Sequence, residues 1–511
     1  MRTSIAAAAA VWLASFAAAQ KKDCIKLVSG ERLEAEMKTE AVLARAQKLQ
    51  DIAYSTEGRN RQWQQPGFEL TMQYIEETLE KEAPGYYNVE RQPTFFQVAK
   101  DPAPIVIGGA SYDSSPMTTT SERALLTGTF EDVPVVAVAN LGCDPEDYPD
   151  ATGALTLIQR GTCSFELKSQ LSKAAGAVGA IVRNAVDSPT FGNGVIGDAV
   201  DTLVPTTMIR YEDGVAILAQ LEAGPATADL SIEYVNLTSY NVVATSKWGN
   251  QSNVVMLGAH ADSVIDGPGV NDDGSGTVAI LETAVQLAKF GVRNAVRFAW
   301  WTAEEDGLLG SYYYTDHTPA AELAKIRAYL NFDMIGSSNY VYGILDGDGD
   351  AYGLAGPEGS ADIEKLWEDY FSTRDMPSDP SEFSGRSDYA GFIDQGIPSG
   401  GLSTGADEIK TAEQVAKYGG VEGAILDPNY HTAYDTVANL SAPALGVMSK
   451  AIGFAVGTYA KSLEGFPART PAVAKRSSKH SARIAGLDED AESFQYGPLT
   501  LWRMPLGQGK N

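Results

Sequence analysis

The stretch Asn253-Val-Val-Met-Leu-Gly-Ala-His-Ala-Asp-Ser-Val-Ile-Asp-Gly-Pro-Gly-Val-Asn-Asp-Asp273 decides how the rest of the chain is interpreted. Its apolar run 254–257 is long enough for one buried strand, which ends at His260. Gly-Pro-Gly at 267–269 predicts a loop, because helix and strand both break there. An apolar-periodic segment then predicts a helix over 276–290. A strand, a loop with a histidine and carboxylates, and a helix form the arrangement in which an α/β protein places a binding site.

Two interpretations of this stretch are open. In the first, His260 caps the strand and the acidic side chains face solvent. In the second, His260 and the acids of the Asn-Asp-Asp run at 271–273 bind metal. A lone histidine favours the first interpretation, whereas His-x-Asp followed by a Gly-rich Asn-Asp-Asp favours the metal site.

Composition limits the class of protein. The 511 residues, of which 44% are hydrophobic and 21% charged, are typical of a globular chain of roughly two to four domains. The formal net charge is −27, and such an acidic chain does not attract a polyanion. We therefore expect no nucleic-acid partner.

The N-terminus has the pattern of a signal peptide over residues 1–19. Arg2 supplies the positive charge, Ile5 to Phe16 is apolar, and Ala17-Ala-Ala19 offers a cleavage site before Gln20. Because no later stretch has the ~18 apolar residues that a membrane span needs, we expect a secreted protein, with the vacuolar lumen as the alternative. Three glycosylation sequons fit this route, at Asn236, Asn250 and Asn439.

The chain has three cysteines. In an oxidising compartment Cys143 and Cys163 are the natural pair. A bridge between them would stabilise the fold by about 3 kcal/mol in the chain-entropy model. Cys24 then remains as a free buried thiol or an intermolecular link. The sequence does not determine the oligomeric state, and a monomer is the expectation.

Residues 123–225 form a separate unit in which strands alternate with a helical stretch. Its runs Leu155 to Ser169 and Ala174 to Val182 resemble the protease-associated (PA) domain, an insertion found in several exopeptidase families. The unit contains no histidine and no plausible set of catalytic nucleophile and base. We expect it to act as a lid or spacer.

From Tyr240 onward, strands and helices alternate, which predicts a mostly parallel central sheet covered by helices. The segments 24–122 and 226–463 are expected to form one catalytic domain interrupted by the inserted unit. Residues 464–511 are predicted to be disordered or removed. The predicted strands lie at 253–257, 295–302, 328–333, 341–346 and near 400–402, and the predicted helices at 276–290, 320–327, 360–371 and 441–461.

Four segments supply candidate metal ligands, and in three of them the ligand follows a predicted strand. Two histidines with three carboxylates are too many charges for one zinc ion but fit two zinc ions that share a carboxylate, roughly 3.5–4 Å apart. Zinc suits these ligand types better than magnesium or calcium. The other two histidines, His317 and His480, are expected to be solvated. The candidate ligands are His260, Asp272, Glu305, Asp333 and His431.

These motifs resemble metallopeptidase family 28, the co-catalytic zinc aminopeptidases, in the form with a PA insertion seen in secreted fungal leucine aminopeptidases and vacuolar aminopeptidase Y. The resemblance covers about residues 24–463. It implies an enzyme with two zinc ions that removes hydrophobic N-terminal residues from peptides with a free N-terminus. It also implies that Asp272 bridges the metals, that His260 and Asp333 hold one, and that Glu305 and His431 hold the other.

The same resemblance implies four further roles. Glu304 would be the general base, and the hydroxyl of Tyr430 would steady the tetrahedral intermediate. Asp262 would orient His260, and Arg386 belongs to a segment that lines the site. Two rival functions are weighed against this one: a non-catalytic receptor or binding homologue that has lost ligands, and a carboxypeptidase that would use Arg386 to bind a substrate carboxylate.

Overall fold

The computed structural model describes residues 25–100, 103–117, 126–161, 163–184, 196 and 200–469. These residues form two eight-stranded sheets with helices packed on them. In the described ranges, no helix combines the length and apolar character needed to cross a membrane. The predicted signal peptide, Cys24, His480 and residues 470–511 of the predicted tail lie outside the described residues.

The strands and helices are numbered here in chain order. The strands are β1 Tyr87–Ala99, β2 Ile105–Ile107, β3 Ala110–Tyr112, β4 Ser115–Pro116, β5 Gly128–Ala137, β6 Leu155–Gln159, β7 Gly179–Arg183, β8 Thr206–Ile209, β9 Thr227–Ile232, β10 Tyr234–Ser246, β11 Asn250–His260, β12 Asn294–Trp301, β13 Ile326–Phe332, β14 Gly343–Leu345, β15 Asp379–Ser381 and β16 Ser399–Ser403. The helices are α1 Gly30–Glu36, α2 Thr39–Tyr54, α3 Pro66–Glu82, α4 Phe165–Ala174, α5 Tyr211–Ala223, α6 Gly274–Leu287, α7 Leu309–His317, α8 Ala320–Leu323, α9 Ser360–Ser372, α10 Ala390–Asp394, α11 Ala412–Tyr418 and α12 Ala442–Lys461.

The first sheet has the order β1-β10-β12-β11-β13-β16-β14-β15. Its four central strands, β12, β11, β13 and β16, are mutually parallel. Antiparallel pairings join β1, β10 and β12 at one side and β16 to β14 at the other. The predicted α/β class is confirmed, with the parallel strands in the centre, where both faces of a sheet are covered.

Alternate side chains of β11 pack into two different hydrophobic clusters, one on each face of the sheet. Val255 and Leu257 pack with helices α2, α3, α6 and α12 on one face of the sheet. Val254 and Met256 pack on the other face, in a cluster that includes Tyr314 of α7 and Phe392 of α10. Successive side chains of a strand point to opposite faces, and a strand that is apolar at every position is therefore buried on both. This explains why the run 254–257 shows no polar alternation.

The second sheet, of order β3-β2-β9-β5-β6-β7-β8-β4, is the inserted unit. It is wider than the predicted 123–225, because β2 pairs with β3 and β9 and β4 pairs with β8. Residues from 103 to 117 therefore belong with it rather than with the first segment of the catalytic domain. The predicted disulfide between Cys143 and Cys163 is present in this unit.

Two predicted boundaries are wrong. The predicted helix at 320–327 ends at Leu323, because β13 begins at Ile326 and pairs with β11. The predicted tail begins too early, since Phe466 is buried against Tyr459 and Arg469 donates a hydrogen bond to the carbonyl of Gln395.

Candidate metal centre

The ends of three neighbouring parallel strands bring the predicted ligands together. Strand β11 ends at His260, β12 is followed by Glu304 and Glu305, and β13 is followed by Asp333. Because parallel strands have their carboxyl ends at the same edge of a sheet, these side chains meet there. His431 reaches the same place from a loop that lies between α11 and α12.

Asp272 stands between the two histidines. Its Oδ1 lies 3.2 Å from Nε2 of His260, and its Oδ2 lies 3.0 Å from Nε2 of His431. The same His431 nitrogen is 3.0 Å from Oε2 of Glu305. One carboxylate therefore faces two histidines with separate oxygens, which is the geometry that a bridging ligand requires.

Asp333 and Glu304 lie on the His260 side of this pair. Asp333 Oδ1 and Glu304 Oε2 are each 3.7 Å from Nε2 of His260. The ligand atoms of His260, Glu304 and Asp333 all lie within 4.8 Å of one another, as do those of His260, Asp272 and Glu305. The adjacent carboxylates 304 and 305 thus face opposite halves of the site.

The backbone at the site is held in a conformation that non-glycine residues rarely adopt. Ala303, Met334 and His431 have φ angles of 53°, 51° and 57°. Ala303 and Met334 each lie next to a predicted base or ligand, and His431 is itself a predicted ligand. Such conformations cost about 1–3 kcal/mol each and persist only where the surroundings over-determine them.

Asp262 contacts both His260 and the turn that carries Glu304 and Glu305. Its carboxylate accepts hydrogen bonds from the backbone N–H groups of Glu304, at 3.2 Å, and Glu305, at 3.4 Å. One of its oxygens lies 3.6 Å from Nδ1 of His260. The position is the one that a residue orienting His260 would need, and the contact with the 304–305 turn was not predicted.

Sequence reasoning missed several supporting residues. Asp273 caps helix α6 by accepting from Gly276 N–H, and it also accepts from the backbone N–H groups of His260 and Met334. Ser387 donates to Oδ2 of Asp333 at 2.6 Å. A further buried carboxylate, Asp435, and a buried guanidinium, Arg61, contact the loop between His260 and Asp272. Of these four residues, only Asp273 belongs to a run, Asn-Asp-Asp, that drew attention in the sequence. Ser387, Asp435 and Arg61 reach the site from distant segments of the chain.

Burial and crowding shift the titration of the acids and histidines. Burial lowers the pKa of His431, but the carboxylates of Glu305 and Asp272 outweigh it and raise that pKa to about 10. Burial also raises the pKa of Glu304 well above its ordinary value, and Asp333 and other carboxylates add to this effect. Burial and the crowding of carboxylates therefore favour the protonated forms of both Glu304 and His431.

Tyr430 and Arg386 border the site. The Tyr430 ring stacks on His431 with 3.8 Å between ring centroids, and burial raises the pKa of its phenol well above the ordinary value. Arg386 does not present a free charge, since its guanidinium is hydrogen-bonded to both carboxylate oxygens of Asp407 at 2.9 and 3.3 Å.

The remaining predicted positions differ in accessibility. His317 is exposed at the end of α7, as expected, and stacks on Tyr313. Asn236 and Asn250 are exposed. Asn439 is only 5% exposed and donates a hydrogen bond to Asp427. The burial of Asn439 contradicts its prediction as a glycosylation site in the folded protein, because the acceptor amide faces the interior.

The residues at the centre fit a metal. Nε2 of His260, Oδ1 of Asp333 and Oε1 of Glu305 are buried, and none of them has a hydrogen-bond partner among the described residues. Buried polar atoms without a partner cost about 1–3 kcal/mol each. Imidazole nitrogens and carboxylate oxygens are also the donors that zinc prefers outside thiolate sites. Cations bound at this centre would satisfy these atoms.

Comparison with known proteins agrees with this geometry. A model of peptidase family M28 matches residues 241–456, and a model of the PA domain matches residues 131–217. The chain is 46% identical to "Probable leucine aminopeptidase 2" of Aspergillus fumigatus, over 86% of this chain and 87% of the relative. It is 42% identical to "Leucine aminopeptidase 2" of Arthroderma otae, over 88% and 90%.

Comparison with solved structures also finds similarity to aminopeptidases. An aminopeptidase from Aneurinibacillus sp. aligns with a TM-score of 0.62 and 27% identity, over 85% of this chain and 96% of that one. BSAP, a zinc aminopeptidase from Bacillus subtilis, aligns with a TM-score of 0.61 and 25% identity, over 83% and 96%. The chain therefore belongs to peptidase family M28 and is an enzyme with a PA domain inserted within its peptidase fold.

Proposed function

We propose that this protein is a secreted aminopeptidase that uses two zinc ions to remove hydrophobic, leucine-type residues from the N-termini of peptides. One observation carries the proposal: the two oxygens of Asp272 each face a different histidine at 3.0–3.2 Å. That arrangement is what a carboxylate shared by two metal ions needs. The names of the relatives support the aminopeptidase class and the leucine preference.

The ligands divide into two sets around Asp272. His260 and Asp333 would hold one ion, and His431 and Glu305 would hold the other. When bound, the metal ions supply Lewis acidity, which makes water a better nucleophile and polarises the scissile carbonyl. Asp262, which is fully buried behind His260, would keep that imidazole in its ligating orientation.

Glu304 is the proposed general base. Its carboxylate faces the His260 side of the site and is 5% exposed, so it is within the site but is not needed to complete either ligand set. It would take a proton from the attacking water and pass it to the leaving amine. Tyr430 would donate its hydroxyl hydrogen bond to the oxyanion that develops on the carbonyl, because its raised pKa keeps the phenol protonated.

An acidic site favours a substrate amine over a substrate carboxylate. The buried or part-buried acids of the centre include Asp262, Asp272, Glu304, Glu305 and Asp333. Of the two arginines beside them, Arg386 is paired with Asp407, and the guanidinium of Arg61 is bound to backbone carbonyls of the loop 261–269. The carboxypeptidase alternative needs a cation for the substrate carboxylate, and these contacts disfavour it. The binding-homologue alternative is disfavoured because all five ligand positions and the base position hold suitable residues.

A matched pair of peptides tests the direction of cleavage. The free-amine peptide should lose its N-terminal leucine, whereas the N-acetylated peptide of the same sequence should remain intact, because a charged amine is required. Release of the C-terminal residue from the acetylated peptide would instead identify a carboxypeptidase.

Secretion is part of the proposal and rests on the signal-peptide pattern of residues 1–19 and on the Cys143–Cys163 disulfide, which is typical of oxidising compartments. The vacuolar lumen remains the alternative. The mature protein from its native host should begin near Gln20. Detection of Met1 as its first residue would contradict export.

A further inference from the structure

Arg61 is a fully buried cation in the loop between α2 and α3. Its guanidinium donates to three backbone carbonyls: Nε to Pro268 at 2.8 Å, Nη2 to Gly269 at 2.5 Å, and Nη1 to Ala261. Its backbone N–H donates to Oγ of Ser263 at 2.9 Å. All four acceptors belong to one segment, 261–269, which joins the ligands His260 and Asp272.

The residues that follow this segment are held by the carboxyl group of Asp435. The carboxylate of Asp435 accepts from the backbone N–H groups of Asn271, at 2.8 Å, and Asp272, at 3.0 Å. Arg61 therefore binds carbonyl oxygens and Asp435 binds amide hydrogens of consecutive parts of the same loop. Hydrogen bonds with a charged partner are about twice as strong as neutral ones, so the donors of Arg61 hold this loop firmly, and Asp435 holds the residues that follow it.

Gly269 shows how closely Arg61 approaches the loop. This residue has a φ of +58°, and a Cβ there would lie 3.2 Å from Nη2 of Arg61 and 2.3 Å from the carbonyl oxygen of Asp272. The backbone of Asp272 thus occupies the space that a side chain at position 269 would need. Arg61 and the ligand-bearing turn are packed as one unit.

The charge of Arg61 also matters, because it makes no ion pair with a carboxylate in the described part of the chain; its acceptors are neutral carbonyls. Its positive charge interacts over longer distances with Asp262, Asp272, Asp273 and Asp435. In a buried site such interactions are screened far less than in water. An arginine without its own counter-ion therefore offsets part of the repulsion among the acids of the metal centre.

We propose that Arg61 is a positioning residue of the metal centre: it holds segment 261–269 so that His260 and Asp272 stand at ligand distance before metal binds. This inference rests on the proposed metal-binding function. Arg61 touches neither substrate nor metal in this role. Its effect is exerted through the backbone that carries two ligands.

A comparison of two buried arginines tests the proposal. Arg61→Lys retains the charge but not the planar fork of donors, and Arg61→Met removes both. Arg45 is the control, since it is also buried but pairs with Glu82 and Glu282 in the helix layer. The zinc Kd of each purified full-length variant is measured by competition with a chromophoric chelator. In parallel, hydrogen exchange of the metal-free proteins is followed over 261–272.

We expect Arg61→Lys and Arg61→Met to weaken zinc binding by about 10–100-fold, with Met the more severe, as for other groups that support metal ligands. The amides of 261–272 should exchange faster in both variants, while those of α12 should not. Arg45→Lys should leave the zinc Kd and the loop exchange unchanged. A merely structural role would lower stability in both arginine series alike and would leave the zinc Kd intact.

Wild-type zinc affinity and wild-type loop exchange in Arg61→Lys and Arg61→Met would overturn the inference while leaving the proposed function standing. Failure of the wild-type protein to bind zinc would overturn the proposed function, and the inference with it. If neither Arg61 variant folds, Ser263→Ala decides, because it removes the hydroxyl that accepts from the Arg61 backbone N–H and that also donates to the carbonyls of Val264 and Gly267 in the same segment. An unchanged zinc Kd and loop exchange in Ser263→Ala would then count against the proposal, and a weaker Kd with faster exchange would support it.

Discussion

The imidazole of His431 and the carboxylate of Glu305 face each other with 3.0 Å between Nε2 and Oε2. Glu304, the neighbour of Glu305 in sequence, instead faces His260 at 3.7 Å. The two consecutive carboxylates thus face opposite sides of the candidate metal centre. The difference between them can be measured, because only one is proposed to hold metal.

Glu304→Gln should lower turnover by at least about 10²–10⁴-fold, the usual contribution of a general base, while zinc content and folding are retained. Glu305→Gln should lose one zinc ion as well as activity. Metal analysis of the two purified variants beside the wild type checks this. If Glu304→Gln loses a zinc ion and Glu305→Gln keeps both, the two roles are reversed.

Chelation should abolish activity, and added zinc should restore it. The restored enzyme should contain two zinc ions per chain, because Asp272 has one oxygen for each half of the site. The measurement is a titration of the metal-free protein with zinc, followed by both activity and metal analysis. Full activity in a preparation shown to be metal-free would contradict the proposed chemistry.

Zinc binding should release protons at neutral pH. The pKa of His431 in the metal-free protein is raised to about 10, so the imidazole holds a proton at pH 7 that zinc must displace. Apparent zinc affinity should therefore rise with pH up to about 10, the pKa of the folded protein's His431, and fall as the pH is lowered. Calorimetry in buffers of different ionisation enthalpy measures the number of protons released.

The matched control for this titration is His317, which is exposed at the end of α7 and is not a predicted ligand. His317→Gln should release as many protons as the wild type, whereas His431→Gln should release fewer. Equal proton release by wild type and His431→Gln would show that His431 is not displaced by metal.

Removal of the disulfide should affect the inserted unit and spare the metal centre. Replacing Cys143 and Cys163 by serine opens a bridge between residues separated by 20 positions, which should lower the stability of that unit by about 3 kcal/mol. Limited proteolysis should then cut within the inserted sheet first. Zinc stoichiometry should be unchanged, since no predicted ligand lies in that unit; a loss of zinc would show that the two parts are coupled.

Glycosylation should be confined to the exposed sequons. Asn236 and Asn250 are exposed, whereas the amide of Asn439 is buried and bonded to Asp427. Glycopeptide mapping of protein from the native host should find glycan at one or both of the first two sites. Full occupancy of Asn439 would mean that glycan is added before this region folds and that the side chain is not buried as described.

Much of this protein followed from local patterns in the sequence. The apolar run 254–257, the glycine-rich loop after it and the helix beyond are short-range features, and each one specifies its own secondary structure through burial or backbone preference. The candidate ligands at the strand ends could also be identified, because His-x-Asp followed by a Gly-rich Asn-Asp-Asp favours a metal site over a lone capping histidine. The α/β class was predicted in the same way, whereas the PA insertion was predicted from the resemblance of the runs Leu155 to Ser169 and Ala174 to Val182 to that domain.

Tertiary structure decided which residues meet. Nothing in the local sequence around Arg61 indicates that its guanidinium binds the carbonyls of 261, 268 and 269, because those contacts join segments about 200 positions apart. The same holds for Asp435 and the amides of Asn271 and Asp272. It also holds for Asn439, whose sequon is a local pattern while its burial depends on how distant helices and loops pack. Residue type and period are local properties, whereas distance and burial exist only after the chain has folded.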